Sequence, residues 1–165
     1  MTLEALDHVL AYLRENHLKV AAAESCTAGL LVGTLADIPG CAEVFECGFI
    51  VYTEAAKRTY LGVKPDTMTR YGLTSEEVAR EMVQGLAHHT QANFFISITG
   101  TAESDDHLNG VVCFGFGMKK ENCLQIESET KRFYGERNSV RKSAAAYAIQ
   151  RIPEVHSNLQ SKIYK

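Results

Sequence analysis

The sequence predicts an α/β fold, a three-layer α/β/α sandwich whose mixed sheet is mostly parallel and ends in a C-terminal β-hairpin plus helix. Three observations indicate this class. Strand-like runs alternate with helical patterns, an order that covers a sheet on both faces. The run 94–99 is apolar throughout, as in a central strand buried on both faces. Two further strand-like runs, 111–118 and 123–130, flank a polar turn and predict the hairpin.

Helix start and stop signals indicate where several of the predicted elements begin and end. Pro39 and Gly40 end the second helix. Thr74 and Glu77 form a capping box, with Thr74 as the N-cap of the next long helix. The predicted helices are 2–15, 28–36, 54–61, 65–71, 75–90 and 137–151, and the predicted strands are 18–23, 44–53, 94–99, 111–118 and 123–130.

The whole chain, 1–165, is predicted to be one domain of an ordinary soluble globular protein. It has 45% apolar and 22% charged residues. A net charge of -3 gives no bulk attraction to nucleic acid, and no apolar run is long enough to cross a membrane. Five scattered cysteines and an acidic start without a signal peptide favour the cytoplasm. Pro153 is expected to end the last helix and to leave a mobile tail from about residue 154.

The stretch 21–29, Ala-Ala-Ala-Glu-Ser-Cys-Thr-Ala-Gly, turns from a strand into a helix and is the centre of the predicted site. Unpaired N–H groups and the helix dipole at such a turn stabilise negative charge. Ser25 or Thr27 is therefore either the N-cap of the helix or a hydroxyl beside an oxyanion site. Cys26 is a nucleophile or a packed, inert thiol, and its apolar surroundings favour the second.

Further polar residues lie near the carboxyl ends of other predicted strands, the edge where α/β sheets bind ligands. Thr99 and Thr101 flank Gly100, and they either donate hydrogen bonds to a substrate or satisfy the turn. Lys57 follows Tyr52 by five residues, in the first turns of a helix. Among apolar neighbours its amine would lose its proton near neutral pH and act as a base for a serine; otherwise it is a surface lysine.

Charged residues later in the chain give two more candidates. Arg137 and Arg141 lie four residues apart on one helix face. They suit a phosphate or carboxylate, or they form a solvated basic face with Glu136. Residues 105–107 read Asp-Asp-His, but three adjacent ligands in one loop are weak evidence, and no metal is predicted.

The order and spacing of these motifs resemble the CinA C-terminal domain family of nicotinamide-nucleotide amidases (PncC-type). The resemblance covers about Leu6 to Ile152. The pieces that carry it are 23–29 (Ala-Glu-Ser-Cys-Thr-Ala-Gly), 45–53 (Phe-Glu-Cys-Gly-Phe-Ile-Val-Tyr-Thr) with Lys57, 71–75, 97–102 (Ser-Ile-Thr-Gly-Thr-Ala), and Gly135-Glu136-Arg137 with Val140-Arg141.

The resemblance implies hydrolysis of the carboxamide of nicotinamide mononucleotide to nicotinate mononucleotide and ammonia, a step of NAD metabolism. It implies a small nucleotide substrate, a homodimer, and neither a metal nor a cofactor. By motif match Ser25 is the nucleophile, Lys57 the base and Tyr52 a neighbour of both, with helix N–H groups holding the oxyanion. The implied substrate-binding residues are Glu24, Thr27, Thr99, Gly100, Arg137 and Arg141.

One loop departs from the family pattern. The family continues Gly-Ile-Ala-Gly-Pro into a glycine-rich stretch, whereas this chain reads Gly-Thr-Ala-Glu-Ser over 100–104. The change adds Glu103, with Asp105 and Asp106 after it, and Glu54 replaces an asparagine of the family. These carboxylates would repel a phosphate at close range. The chain is therefore expected to be a divergent paralogue, and three alternatives stay open: the amidase, a catalytically impaired structural or regulatory dimer, and a hydrolase of a less anionic amide.

Overall fold

The structure, a computed structural model, describes residues 2–163. A short 3₁₀ helix spans Cys41–Glu43. The other elements in chain order are α1 (Leu3–Glu15), β1 (Val20–Glu24), α2 (Leu30–Ala36), β2 (Phe45–Ile50), α3 (Glu54–Leu61), α4 (Pro65–Tyr71), α5 (Glu76–His89), β3 (Phe94–Gly100), β4 (Val111–Lys120), β5 (Cys123–Arg132), α6 (Arg137–Gln150) and α7 (Ile152–Ile163).

The five strands form one mixed sheet in the order β2-β1-β3-β4-β5. The pairs β1–β2 and β1–β3 are parallel, while β3–β4 and β4–β5 are antiparallel, so every strand except β4 points the same way. The predicted α/β class with a mostly parallel sheet and a C-terminal hairpin is confirmed. In register, Glu24 of β1 lies between Ile50 of β2 and Ile98 of β3, so three carboxyl ends meet at one edge.

Helices cover both faces of the sheet, which gives the predicted three layers. Side chains of β3 alternate between the faces, as a strand's period of two requires: Phe94 and Ile96 belong to one core cluster and Phe95 to the other. The first cluster packs α1, α2, α6 and α7 against the sheet, and the second packs α3, α4 and α5. β1 is wholly buried between them, which accounts for its small residues Ala21, Ala22 and Ala23.

The predicted mobile tail is wrong, because the chain forms helix α7 after α6. Pro153 lies in the first turn of α7, where its missing N–H costs no intrahelical hydrogen bond. Ile152, Val155 and Leu159 bury their side chains in the core. Lys162 pairs with a glutamate of β5 at 2.6 Å and fastens the helix end to the sheet. The last two positions of the predicted tail, 164 and 165, lie outside the described residues.

The capping box also needs correction. α5 begins one residue later than predicted, and the N-cap is Ser75, whose hydroxyl accepts a hydrogen bond from the Val78 N–H. The Thr74 hydroxyl instead lies 2.9 Å from the Thr101 hydroxyl, at the carboxyl edge of the sheet. Adjacent hydroxyl residues can each cap a helix, so sequence alone does not choose between them. Within residues 2–163, no helix combines the length and the apolar character that crossing a bilayer requires.

Candidate active site

The turn between β1 and α2 is held in an unusual backbone conformation. The Ser25 N–H donates to the Ile98 carbonyl, which continues the β1–β3 pairing into the turn. Ala28 and Gly29 then have φ of 50° and 93°, in the left-handed region. α2 therefore begins at Leu30 rather than at Ala28 as predicted, and the cap position, Gly29, has no side chain to offer. Neither Ser25 nor Thr27 is the N-cap.

The Glu24 carboxylate caps the N-terminus of α2. Its buried carboxylate accepts hydrogen bonds from the N–H groups of Gly29 (3.0 Å), Leu31 (3.2 Å) and Val32 (2.9 Å). The Leu30 N–H donates to the Thr27 carbonyl. All four N–H groups at this helix end are thus engaged within the protein, so the expected oxyanion site at the α2 N-terminus is not available.

Ser25 and Lys57 meet at the carboxyl edge of the sheet. Lys57 Nζ lies 2.8 Å from Ser25 Oγ and also donates to the Val51 carbonyl at 3.0 Å. Lys57 is 1% exposed and Ser25 7% exposed. A buried amine within hydrogen-bond distance of a buried hydroxyl is the geometry that a serine nucleophile and its base require.

Helix α3 aims Lys57 inward. The Thr53 hydroxyl caps the helix by accepting from the Ala56 N–H at 3.1 Å, which fixes where the first turn begins. Lys57 and Leu61 are four residues apart and are the two buried side chains of the helix. The lysine therefore lies on the core-facing side, and its amine donates to the carbonyls of Val51 and Tyr52, the two residues that follow β2.

Burial lowers the pKa of Lys57 from 10.5 to about 8. Desolvation disfavours the charged ammonium, and the weaker attractions of Cys26 and Glu54 only partly oppose it. A pKa of about 8 leaves about a tenth of the amines unprotonated at pH 7 and half at pH 8. Burial has the opposite effect on the neighbouring thiol, raising the pKa of Cys26 to about 11, which keeps it protonated and unreactive.

A cavity of about 220 Å³ opens over the Ser25–Lys57 pair. Six of the nine residues expected at the site line it: Ser25, Tyr52, Lys57, Thr99, Gly100 and Arg137. Tyr52 is half-exposed, and its hydroxyl accepts from the Arg137 guanidinium at 2.9 Å. The Thr99 hydroxyl donates to the Leu73 carbonyl at 2.8 Å. Position 100 must be glycine, because a Cβ there would lie 2.6 Å from the Val111 carbonyl oxygen.

Three expected substrate-binding residues, Glu24, Thr27 and Arg141, do not line this cavity. Arg141 donates to the carbonyls of Cys26 at 2.8 Å and Thr27 at 3.1 Å, and so holds the turn that carries Ser25. The Thr27 hydroxyl is buried and has no hydrogen-bond partner among residues 2–163. Glu24 and Arg141 thus hold the turn from two sides.

Sequence reasoning did not include Thr74 in the site, yet its hydroxyl lines the cavity together with that of Thr101. The sequence contains no separate signal for this role, because Thr74 also fits the capping box.

Most carboxylates of the acidic loop, 103–106, do not line the cavity. Asp106 accepts from Ser104 and Leu108 within the loop, and the Ser104 hydrogen bond lowers the pKa of its carboxyl. Glu103 alone of the loop carboxylates lines the cavity.

A model of the CinA C-terminal domain family matches residues 3–156. The chain belongs to the CinA C-terminal domain family. Among curated relatives of this CinA domain is the nicotinamide-nucleotide amidohydrolase PncC of Enterobacter agglomerans, 38% identical over 144 residues that cover 85% of this chain and 86% of the relative. A CinA-like protein of Chlorobium phaeobacteroides is 40% identical over 81% of this chain.

Solved structures of CinA-type proteins share the fold over nearly the whole chain. The competence damage-inducible protein A of Klebsiella pneumoniae aligns with a TM-score of 0.84 and 28% identity, covering 92% of this chain and 94% of its own. The competence/damage inducible protein CihA of Agrobacterium tumefaciens aligns with a TM-score of 0.83 and 28% identity, covering 94% and 99%. Other curated CinA-type relatives are longer, and this chain spans only about a third of their length, for example 34% of the Chlorobium protein.

Replacing the capping carboxylate should destabilise the fold. In Glu24→Gln, one amide oxygen must serve three N–H donors while the amide NH₂ faces the positive helix end. We expect the free energy of unfolding, measured by urea denaturation, to fall by about 2–4 kcal/mol. Glu4→Gln, an exposed carboxylate in the first turn of α1, is the matched control and should cost less than about 0.5 kcal/mol. Equal losses in the two variants would contradict the capping role.

Proposed function

We propose that this CinA domain is an amidase that hydrolyses the carboxamide of a nicotinamide nucleotide, with Ser25 as nucleophile and Lys57 as base. The observation that carries the proposal is the 2.8 Å contact between the buried Lys57 amine and Ser25 Oγ beneath an open cavity. The substrate class comes from the resemblance and from the PncC relative that covers 85% of this chain. We also propose that the domain forms a homodimer, as the resemblance implies.

The reaction proceeds in two halves. As Ser25 Oγ attacks the carboxamide carbon, the unprotonated Lys57 amine takes its proton. The resulting Lys57 ammonium then gives a proton to the departing nitrogen. Ammonia departs, and the acyl group remains bound to Ser25 Oγ as a covalent ester. A water molecule attacks this ester with Lys57 again accepting a proton, which returns to Ser25 Oγ as the carboxylic acid product departs. The Val51 carbonyl keeps Nζ directed at Ser25 throughout.

Negative charge on the substrate oxygen needs a donor other than the α2 N-terminus. The N–H of Cys26 is adjacent to the nucleophile and, within residues 2–163, donates to no other residue. The Arg137 guanidinium also lines the cavity. We assign these two groups to the oxyanion, since donors fixed before the reaction stabilise the charge as it forms. Arg141 donates to the Cys26 carbonyl, in the peptide that joins Cys26 to Thr27, and so restrains the turn directly after this N–H.

The cavity volume limits what enters. About 220 Å³ is below the roughly 300–1,000 Å³ of pockets that enclose a drug-sized ligand. A single aromatic ring with its carboxamide fits, whereas the remainder of a nucleotide must lie at the mouth. Size therefore supports a substrate that inserts its amide end alone.

Removing the nucleophile tests the proposal. In Ser25→Ala, ammonia release from nicotinamide mononucleotide should fall at least about 10³-fold, because no acyl-enzyme can form. Ser143→Ala, an exposed serine of α6, should keep full activity. Circular dichroism and thermal unfolding show whether both variants are folded. Retention of more than a tenth of the activity by folded Ser25→Ala would remove Ser25 as the nucleophile, and no turnover by folded wild type would remove the amidase.

The pH–rate profile should report the base. Only the unprotonated amine accepts the Ser25 proton, so kcat/KM should rise with pH, pass half its maximum near pH 8 and level off above it. Lys57→Arg should be inactive across pH 6–10, since a guanidinium stays protonated. A midpoint near 6.5, the range of histidine, or significant activity in Lys57→Arg would contradict Lys57 as the base.

A further inference from the structure

A pair of threonine hydroxyls, from Thr74 and Thr101, lines the same cavity as Ser25 and Lys57. The two Oγ1 atoms lie 2.9 Å apart, a hydrogen bond in which either hydroxyl can be the donor. Within residues 2–163, neither hydroxyl makes a second hydrogen bond. One of the two protons is therefore used inside the pair, and the other is available to a ligand, together with oxygen lone pairs.

The fold does not require this hydroxyl pair. Ser75, rather than Thr74, caps α5, and the Thr101 N–H donates to the Val111 carbonyl, so the backbone near each threonine is held without the two hydroxyls. The CinA family pattern also has isoleucine at the position of Thr101. A polar pair that the fold can do without, on the wall of a cavity, indicates a contact with a ligand.

The pair lies between the floor and the mouth of the cavity. Thr99, Thr101 and Glu103 are alternate residues that all line it, and in this order they are buried, half-buried and exposed. Ser25 and Lys57 are both buried and mark the floor. With a carboxamide at Ser25, the aromatic ring comes next, and the group attached to the ring reaches the level of the threonine pair.

The hydrogen-bonding capacity of the pair suits a sugar. One free O–H and the oxygen lone pairs let the two threonines donate to one group and accept from another at the same time. A sugar hydroxyl also donates and accepts, whereas a phosphate dianion only accepts and favours a cluster of charged donors. The C–H edge of an aromatic ring offers neither role. In a nucleotide, the group attached directly to the ring is the ribose.

We propose that Thr74 and Thr101 form a ribose subsite, in which the hydroxyl pair binds the neighbouring 2′ and 3′ hydroxyls of the sugar. One threonine donates its free proton to one ribose hydroxyl, and the other threonine accepts a proton from the second. This inference rests on the proposed amidase and names the contact by which the site selects a nucleotide over a nicotinamide that lacks the sugar.

Calorimetric binding to Ser25→Ala protein tests the subsite without turnover. The matched probes are nicotinamide mononucleotide and its 2′,3′-dideoxy analogue, which share the ring and the phosphate. The analogue should bind at least about tenfold more weakly. Adding Thr101→Val or Thr74→Val, which keeps the shape of the side chain but removes a hydroxyl, should weaken binding of the mononucleotide at least about fivefold and change that of the analogue less than about twofold.

Two further variants separate a ligand contact from a structural role. Thr101→Ser keeps the hydroxyl and should bind the mononucleotide within about twofold of the Ser25→Ala protein. Thr69→Val, at an exposed threonine of α4 that does not line the cavity, should leave both dissociation constants within about twofold. Thermal unfolding shows whether each variant is folded.

The outcomes separate this inference from the amidase itself. Equal losses for the two probes in Thr101→Val, as a structural contact or a phosphate contact would give, would overturn the subsite. Equal binding of the two probes by Ser25→Ala protein, or no binding of the mononucleotide, would also overturn it. Ammonia release by wild type judges the amidase separately: release without discrimination between the probes removes only the subsite, whereas discrimination without release supports the subsite and removes the amidase.

Discussion

Burial of the Lys57 amine against Ser25 Oγ is the constraint on which the rest of the site depends. Lys57 is only 1% exposed, and burying its charged ammonium form is costly. Among residues 2–163 no carboxylate contacts the amine to offset this cost, and its partners are the Val51 carbonyl and the Ser25 hydroxyl. The consequence is a lowered pKa rather than a stable ion pair. A protein tolerates such a group where a neutral amine is useful, and here that amine touches a hydroxyl beneath a cavity.

The neighbouring structure keeps the hydroxyl in reach of the amine. Glu24 fixes the helix end that follows the turn, and Arg141 fixes the carbonyls of Cys26 and Thr27 within it. Both groups are charged, yet neither lines the cavity, so their charges are used to hold backbone rather than substrate. The carboxylate also takes the helix N–H groups that an anion would otherwise bind. For this reason the proposed oxyanion donors are the Cys26 N–H and the Arg137 guanidinium.

The sheet and its helices could be predicted because local patterns specify them: the apolar run of β3, the alternation in β2 and the hairpin turn each imply one structure. The Ser25–Lys57 contact joins residues 32 positions apart. The residue pattern alone offered Lys57 as a base for a serine but left a surface lysine equally open, and the family resemblance favoured the pair. The prediction of a mobile tail after Pro153 was wrong because proline occurs both just after a helix and in the first turn of one. Glu24 was expected to bind substrate, whereas it caps α2. A carboxylate beside a turn has the same sequence signal in both roles.

Direct titration of the Lys57 amine tests the central claim. Protein labelled with ¹³C at the lysine ε-carbon gives one NMR signal per lysine, and the Lys57 signal is the one that disappears in Lys57→Arg. We predict that this signal titrates with a pKa near 8, while signals of exposed lysines titrate near 10.5. A Lys57 pKa close to 10.5 would mean that the amine stays protonated at neutral pH, and it would contradict Lys57 as the base.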